Sequence, residues 1–141
     1  MKQAHHRLVL TPAGPGLHEV TDAVLRWVAE QGLREGLLTV FVPHTSASLL
    51  IQENSDSDVR RDLEDFFARL VPDDRGLYRH ASEGPDDMPA HIKAALTQTQ
   101  LSIPVSGGRP VLGIWQGIYL FEHRRGRHRR ELVLHLMGGE G

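Results

Sequence analysis

The sequence predicts an α+β, mainly β domain built on antiparallel sheets. Strand-like segments come mostly as adjacent pairs along the chain, whereas the βαβ units of a parallel sheet alternate strands with helices. The 141 residues are enough for one domain, 1–141, with a core of its own. A composition of 40% hydrophobic and 24% charged residues is typical of folded proteins and argues against extensive disorder.

In the first half of the chain, proline and glycine mark the ends of elements, and the spacing of apolar residues separates strands from helices. Thr21 and Asp56 are expected to cap two helices at their N-termini. The second of these helices has the clearest apolar stripe, with apolar side chains at positions i, i+4, i+7, i+8 and i+11. The predicted elements are a strand over 6–11, a helix over 22–31, strands over 37–42 and 46–52, and a helix over 56–70.

The second half begins with a polar segment, 72–87, which we expect to be a loop of functional length. Asp87 is expected to cap the helix that follows, with Pro89 in its first turn. The segment 111–122 is nearly all apolar, so it is expected to be a strand covered on both faces. The predicted elements are a helix over 88–97 and strands over 100–105, 111–122 and 130–137.

The composition excludes several classes of site. The chain has no cysteine, which rules out disulfides, thiolate metal sites and a cysteine nucleophile, and any bound metal must take nitrogen and oxygen ligands. Sixteen basic and eighteen acidic residues give a formal net charge of −2, which argues against a nucleic-acid partner. No signal peptide is evident and no apolar segment approaches the ~20 residues that span a bilayer, so we expect a cytoplasmic protein without a membrane partner.

Three of the nine histidines stand out because they lie at element ends or in loops near carboxylates: His44, His80 and His91. Asp87 and His91 are four residues apart on a predicted helix and therefore share one face. Three imidazoles with an open fourth position are the ligand set of a catalytic zinc ion or a similar divalent cation. The alternative for each histidine is an exposed or hydrogen-bonded side chain that binds no ligand.

Small hydroxyl residues, Thr45 and Ser46, follow His44 at the end of a predicted strand. Their hydroxyls suit phosphate or sugar oxygens, but they can equally satisfy the backbone of their own turn. Glu53 stands before the acid-rich start of the second helix, where acids favour the helix N-terminus. It is also a candidate for holding a cation or acting as a general base.

Gly113 and Gly117 interrupt the apolar segment and leave space there. One interpretation is a floor for a planar ligand, with Trp115 stacking on the ring and Gln116 or Arg109 contacting its polar atoms. The alternative is a bulge or tight packing between strands.

The basic segment 123–130 contains five arginines. Guanidinium groups pair well with phosphate oxygens, so an anion site is one interpretation. A solvated hairpin loop with Gly126 at its turn is the preferred one, because such loops usually lie at the surface.

These blocks resemble the YjbQ/UPF0047 family, which is described as secondary thiamine-phosphate synthase. At the position of Asp87 the family often has asparagine. An aspartate there offers a negative charge to a cation, whereas an asparagine offers none. The resemblance rests on P-H-T-S-A-S at 43–48, E-N at 53–54, D-x-D-V at 56–59, Y-x-H at 78–80, E-G-P-D-D-M-P-A-H-I-K at 83–93, G-R at 108–109 and L-G-I-W-Q-G-I-Y-L at 112–120.

The resemblance implies an antiparallel β-sandwich with two or three flanking helices, assembled as a homotrimer. It implies a divalent metal, zinc or else magnesium with a diphosphate substrate, on His44, His80 and His91. The implied reaction joins a hydroxymethylpyrimidine diphosphate to a thiazole phosphate with release of diphosphate, as a main or a side activity. The residues expected to serve catalysis are Glu53, His44 and Arg109, and those expected to bind substrate are Thr45, Ser46, Asn54, Asp87, Trp115 and Gln116.

Two other functions are compatible with the same residues. One is a metal-dependent hydrolase or phosphoryl-transfer enzyme that acts on another small phosphorylated metabolite. The other is a trimeric metabolite-binding protein without catalysis. Binding of RNA would require the arginines to line one continuous face, and the aromatic residues that a nucleic-acid platform uses are missing among them.

Overall fold

Every strand in the computed structural model, which describes residues 1–140, pairs antiparallel with its neighbours. The expectation of a mainly β, antiparallel fold is confirmed. The strands are β1 (Lys2–Leu10), β2 (Gly16–Glu19), β3 (Glu35–Phe41), β4 (Ala47–Glu53), β5 (Gln100–Ser106), β6 (Arg109–Pro110), β7 (Gln116–Glu122) and β8 (Arg130–Gly139), and the helices are α1 (Thr21–Glu30), α2 (Ser57–Leu70) and α3 (Asp87–Leu96).

The strands form two sheets. The larger sheet has the order β1-β8-β3-β5-β6, and the smaller has the order β2-β7-β4. The inner faces of both sheets supply the main core, with Leu134 of β8 and Leu120 of β7 fully buried. Helix α1 adds Val24 and Val28 to the same core, which explains the apolar spacing of that segment.

The second face of β7 is also buried, because α2 covers it. Tyr119 and Phe121 pack there with Leu17 of β2, and Phe67 of α2 contacts Phe121 edge to face at 5.4 Å between ring centroids. The expectation of a strand covered on both faces is therefore confirmed for Gly117–Glu122.

The apolar segment 111–122 is not one strand, however. Ile114 and Trp115 lie in a turn before β7, and their exposed fractions are 83% and 57%. The side chain of Gln116 closes this turn, because its Oε1 accepts the Gly113 N–H at 2.7 Å. An apolar sequence alone does not distinguish such an exposed turn from a buried strand.

Two predicted helix caps are shifted by one residue. Thr21 is the first residue of α1, and its hydroxyl donates to Glu19 while it accepts the N–H of Ile118. Asp87 is likewise the first residue of α3 rather than its cap. The prediction for Asp56 is confirmed, since its side chain accepts the N–H of Asp58.

Two short strands were not predicted, and the first strand begins earlier than predicted. β1 starts at Lys2 rather than residue 6, because its pairing with β8 extends to Gly138. β2 and β6 have only four and two residues and carry no alternating pattern long enough to identify. No helix within residues 1–140 is both long and apolar enough to cross a membrane.

The β4–β7 ladder sets the distance between the motif residues. Ala47 pairs with Glu122 at one end, and Glu53 pairs with Gln116 at the other. Six residue steps along a strand correspond to about 20 Å. Residues that follow Glu122 and residues that precede Gln116 therefore lie at opposite ends of the smaller sheet.

Candidate functional site

Two histidines and an aspartate meet at the N-terminal end of α3. The Nε2 atom of His80 lies 2.6 Å from Oδ2 of Asp87, and Nε2 of His91 lies 3.1 Å from the same oxygen. Asp87 and His91 share a helix face, and the loop before α3 brings His80 to them. Within residues 1–140 this is the one group of three such side chains whose donor atoms all lie within 4.8 Å of one another.

The ring of His91 is held in a defined orientation. Its Nδ1 lies 2.9 Å from the backbone oxygen of Thr45, and a carbonyl oxygen can only accept, so Nδ1 carries the proton. In the neutral ring this leaves the lone pair of Nε2 directed at the Asp87 carboxylate. A histidine that donates one ring N–H to a carbonyl and presents the other nitrogen is the usual arrangement at metal sites.

Asp87 is kept as a carboxylate despite its burial. Its side chain is 3% exposed, and burial alone raises the pKa of an aspartate. The hydrogen bond from His80 and the charge of the Arg124 guanidinium, with His91 beside them, outweigh this, so the pKa of Asp87 lies below its usual value. Arg124 binds the second oxygen, Oδ1, at 2.9 Å, which leaves Oδ2 for the histidines.

His44 lies outside this cluster. Its Nε2 accepts the N–H of Glu131 at 2.9 Å, and burial together with the Arg130 charge lowers the pKa of His44. Ser46 is beside it and accepts from Arg130 through both its hydroxyl and its backbone oxygen. Among the small residues of this turn, Thr45 contacts the cluster directly, through its backbone oxygen.

A second group of predicted site residues lies at the far end of the β4–β7 ladder. Asn54, Arg109 and Gln116 line a cavity of about 450 Å³. Glu53 is next to it, and its carboxylate accepts the N–H of Asp56 at the start of α2. Trp115 is exposed at the same end. Because about 20 Å of ladder separates this group from the histidine cluster, the two groups do not meet within one chain.

Glu19 organises this second group and was not predicted. Its Oε2 accepts from Thr21 at 2.8 Å and from Asn54 at 3.1 Å. A Cβ at Gly117 would lie 2.6 Å from the same oxygen and 3.0 Å from Cβ of Asn54. The space at Gly117 is therefore filled by protein, as the tight-packing interpretation predicted, and not left open for a planar ligand.

The basic segment 123–130 is only partly the solvated loop that was preferred. Gly126 has the positive φ of a turn, and Arg127 is exposed. Arg124, in contrast, binds both Asp86 and Asp87, and Arg130 is buried against Glu122. The preferred interpretation is wrong for these two arginines. The loop folds Arg124 over carboxylates that the sequence places almost forty positions earlier, and Arg130 begins β8 with its side chain directed inward at Glu122.

The two-sheet β fold with a histidine–aspartate cluster at one end of the smaller sheet defines a small β-sandwich protein with a candidate metal centre. The family model described as UPF0047 protein YjbQ-like matches residues 6–139. The chain belongs to this YjbQ-like UPF0047 family, as its motifs indicated.

Two curated relatives cover almost the whole chain. UPF0047 protein sll1880 of Synechocystis is 51% identical over 137 residues, which are 97% of this chain and 93% of that protein. UPF0047 protein YjbQ of Escherichia coli O157:H7 is 46% identical over 132 residues, which are 93% of this chain and 95% of that protein.

Solved structures of the same fold include an uncharacterized conserved protein of the YjbQ/UPF0047 family from Clostridium acetobutylicum. It has a TM-score of 0.86 and 32% identity, and the match covers 94% of this chain and 99% of that chain. The conserved hypothetical protein TT1486 from Thermus thermophilus has a TM-score of 0.83 and 35% identity over the same shares of the two chains.

Proposed function

We propose that the protein is an enzyme that binds a divalent cation and joins a hydroxymethylpyrimidine diphosphate to a thiazole phosphate, releasing diphosphate. In this proposal the divalent cation is the cofactor, and a small phosphorylated metabolite is the molecule that binds at the cluster. The observation that carries the metal part of the proposal is the geometry of His91: its Nδ1–H is bound to Thr45, and its Nε2 faces Asp87 beside Nε2 of His80. Without a bound cation or a second proton on the ring, the lone pair of His91 Nε2 would face the negatively charged carboxylate of Asp87, which is unfavourable. The reaction itself is the one that the family resemblance implies.

The donor set decides which cation fits. Two imidazole nitrogens and one carboxylate oxygen suit zinc, whereas magnesium prefers oxygen ligands throughout. The residues that would hold the ion are His80, Asp87 and His91. His44, which the resemblance included, is replaced in this set by Asp87, because its Nε2 is already bound to Glu131.

The protein groups around the cluster prepare the site. Arg124 fixes Asp87 through Oδ1 and bonds Asp86, so the carboxylate cannot rotate away from the histidines. Loss of diphosphate places negative charge on a leaving group, and a bound divalent ion would neutralise that charge. His80 is 41% exposed, so the open side of the cluster faces the region that a substrate can reach.

A homotrimer would bring the two groups of site residues together. The acidic end of the smaller sheet carries Glu19 and Glu53, and the basic end carries Arg125 and Arg127. A head-to-tail contact of opposite charges repeats from copy to copy, and with a rotation of about 120° between neighbours it closes into a ring of three. We propose that the end with exposed Ile114 faces the histidine cluster of the next copy.

The metal part of the proposal is tested by elemental analysis of the purified protein. His80→Ala and His91→Ala are expected to lose bound zinc, while His44→Ala and the matched control His18→Ala keep it. Nε2 of His18 is hydrogen-bonded to the Gly14 backbone oxygen at 2.9 Å, away from the cluster. Full zinc content in both cluster variants would refute the centre, and loss in His44→Ala would favour the three-histidine set.

The reaction is tested by incubating the wild-type protein with both substrates and following thiamine phosphate by mass spectrometry. Product is expected only when both substrates are present. Diphosphate release from the pyrimidine substrate alone would favour the hydrolase alternative. Binding without any chemical change would favour the non-catalytic alternative.

The assembly is tested by light scattering. The expected mass is three times 15.8 kDa. Ile114→Asp is expected to give monomers, whereas the control Leu70→Asp, at an exposed apolar position of α2, keeps the trimer. Monomeric wild-type protein, or equal effects of both variants, would refute the head-to-tail contact.

A further inference from the structure

An open cavity of about 480 Å³ lies between the end of β3, the loop before β4 and the start of β8. Phe41, Val42 and Pro43 form the apolar part of its wall. Polar side chains form the rest, and within the described residues 1–140 none of these is a carboxylate. A cavity of this composition suits an electron-rich oxygen rather than a cation.

Arg130 brings an unpaired N–H group to this cavity. Its side chain is 6% exposed, and its Nε and Nη2 atoms are bound to Glu122 and Ser46. Nη1 has no hydrogen-bond partner among residues 1–140, in which Nδ1 of His123 is the single buried side-chain polar atom without one. Nη1 is therefore open to solvent. Because Arg130 lines the cavity, a ligand there can contact this end of the guanidinium.

The ring of His44 presents a second free donor. Its Nε2 lies 2.9 Å from the backbone nitrogen of Glu131, and a backbone N–H can only donate, so Nε2 carries no proton. The neutral ring keeps one proton, which must therefore be on Nδ1. Within residues 1–140, Nδ1 of His44 has no hydrogen-bond partner and is not buried. His44 thus lines the cavity with an N–H group that is free to donate to a ligand.

Hydroxyl groups complete the set of donors. Oγ of Ser46 accepts from Arg130 at 3.0 Å, so its own proton remains free to be donated. Thr99 is exposed at the cavity, and its hydroxyl has no hydrogen-bond partner in the described part of the chain. Guanidinium, imidazole and hydroxyl donors around one space match the lone pairs of an oxyanion.

The charge of the cavity favours a monoanion. The positive charge of Arg130 is shared with the buried carboxylate of Glu122, and His44 is neutral in the tautomer that its backbone contact requires. A dianionic phosphate would lack a counter-charge here, whereas a carboxylate can be balanced by charge-assisted hydrogen bonds. Phe41 is 44% exposed and offers apolar surface to the rest of such a molecule.

We propose that this cavity binds the carboxylate of a small organic acid with an apolar body. The carboxylate accepts N–H groups from Nη1 of Arg130 and Nδ1 of His44, and the apolar body contacts Phe41. The site lies beside the histidine cluster, because Thr45 lines the cavity and its backbone oxygen accepts from His91. The proposal goes beyond the proposed function and depends on neither the metal nor the reaction.

The test is an NMR titration of zinc-free wild-type protein with benzoate. The matched neutral ligand is benzamide, which has the same ring and a carbonyl oxygen but no charge. We expect benzoate to bind roughly tenfold or more tightly, since hydrogen bonds to a charged acceptor are the stronger ones. Equal binding of the two compounds, or no binding of benzoate, overturns the proposal. Tighter binding of inorganic phosphate than of benzoate overturns the assignment to a carboxylate.

Two variants with matched controls locate the bound acid. His44→Phe is expected to weaken benzoate binding roughly tenfold and Thr99→Val about threefold, because each removes one free donor. The controls His5→Phe and Thr39→Val make the same changes outside the cavity wall and should alter binding by less than about twofold. Equal effects of the variants and their controls would place benzoate elsewhere and refute the site.

The contact of Arg130 is tested in the wild-type protein, because this side chain also stabilises the fold through Glu122. The ¹⁵N chemical shifts of the Arg130 guanidinium and of Nδ1 in His44 are followed as benzoate is added. Shifts of both signals support the site, and unchanged shifts refute it even if His44→Phe does not fold. Because zinc is absent throughout, failure of this proposal is distinct from failure of the metal centre.

Discussion

Replacing Arg130 with methionine should destabilise the protein strongly, because it strips a buried carboxylate of its counter-ion. Glu122 is fully buried, and the guanidinium of Arg130 binds both of its oxygens. Removing one partner of a buried ion pair costs about 3–5 kcal/mol, since the other charge stays in a poorly solvated place. Arg130→Met leaves Glu122 with only the backbone N–H groups of His123 and Arg124.

The measurement is the free energy of unfolding in urea. The matched control is Arg61→Met, which removes an exposed ion pair of α2 with Asp58 and should change that free energy by about 0.5 kcal/mol or less. The double variant Arg130→Met/Glu122→Gln should be more stable than Arg130→Met alone, because it removes the uncompensated charge while Gln keeps an acceptor. A loss in Arg130→Met no larger than that in Arg61→Met would refute the reasoning.

Two further predictions concern acid stability and the packing of β7. The folded state holds His123 neutral with a pKa of about 3 against 6.5 for the free side chain, so the unfolded chain takes up the extra proton as the pH falls below 6.5. The free energy of unfolding, measured by urea titration, should therefore fall by about 2 kcal/mol between pH 7.5 and pH 5. His123→Gln should make this free energy depend less on pH over that range, whereas the exposed control His5→Gln should not. Gly117→Ala places a Cβ 2.6 Å from the Glu19 carboxylate and should lower the free energy of unfolding by about 1–3 kcal/mol. The control Gly139→Ala, with no atom within 4 Å of its Cβ, should lower it far less. Equal losses of stability in the two variants would contradict the close contact at Gly117.

The fold was largely predictable because its signals are local. Apolar spacing identified α1 and α2, and the apolar segment 111–122 predicted a strand buried on both faces, which is correct for Gly117–Glu122. The apolar segment before β7 was the main failure. Ile114 and Trp115 look like strand residues in a sequence, and only the turn closed by Gln116 reveals that they are exposed.

The site was predictable where its residues share a helix and unpredictable where they come from distant segments. The four-residue spacing of Asp87 and His91 placed them together, and His80 follows from its nearness to α3. Arg124 was interpreted as part of a solvated loop, because no local pattern shows that a turn near the C-terminus folds onto a carboxylate at position 87. Glu19 was missed for the same reason, since its partner Asn54 follows another strand, β4, 35 positions later in the chain.

The exchange of His44 for Asp87 in the proposed ligand set has a chemical consequence. His44 lies in the loop between β3 and β4, where its Nε2 accepts the Glu131 N–H of β8. Three neutral imidazoles leave a bound divalent ion with its full double charge, whereas one carboxylate cancels half of it. An ion on His80, Asp87 and His91 therefore attracts a diphosphate less strongly than a three-histidine ion would. Arg124 does not offset this, because it is paired with Asp86 and Asp87, and Arg129 is paired with Glu131. Arg127 is exposed on the same loop. Under the proposed function, the exposed charge of Arg127 would compensate for the acid in the ligand set at this end of the protein.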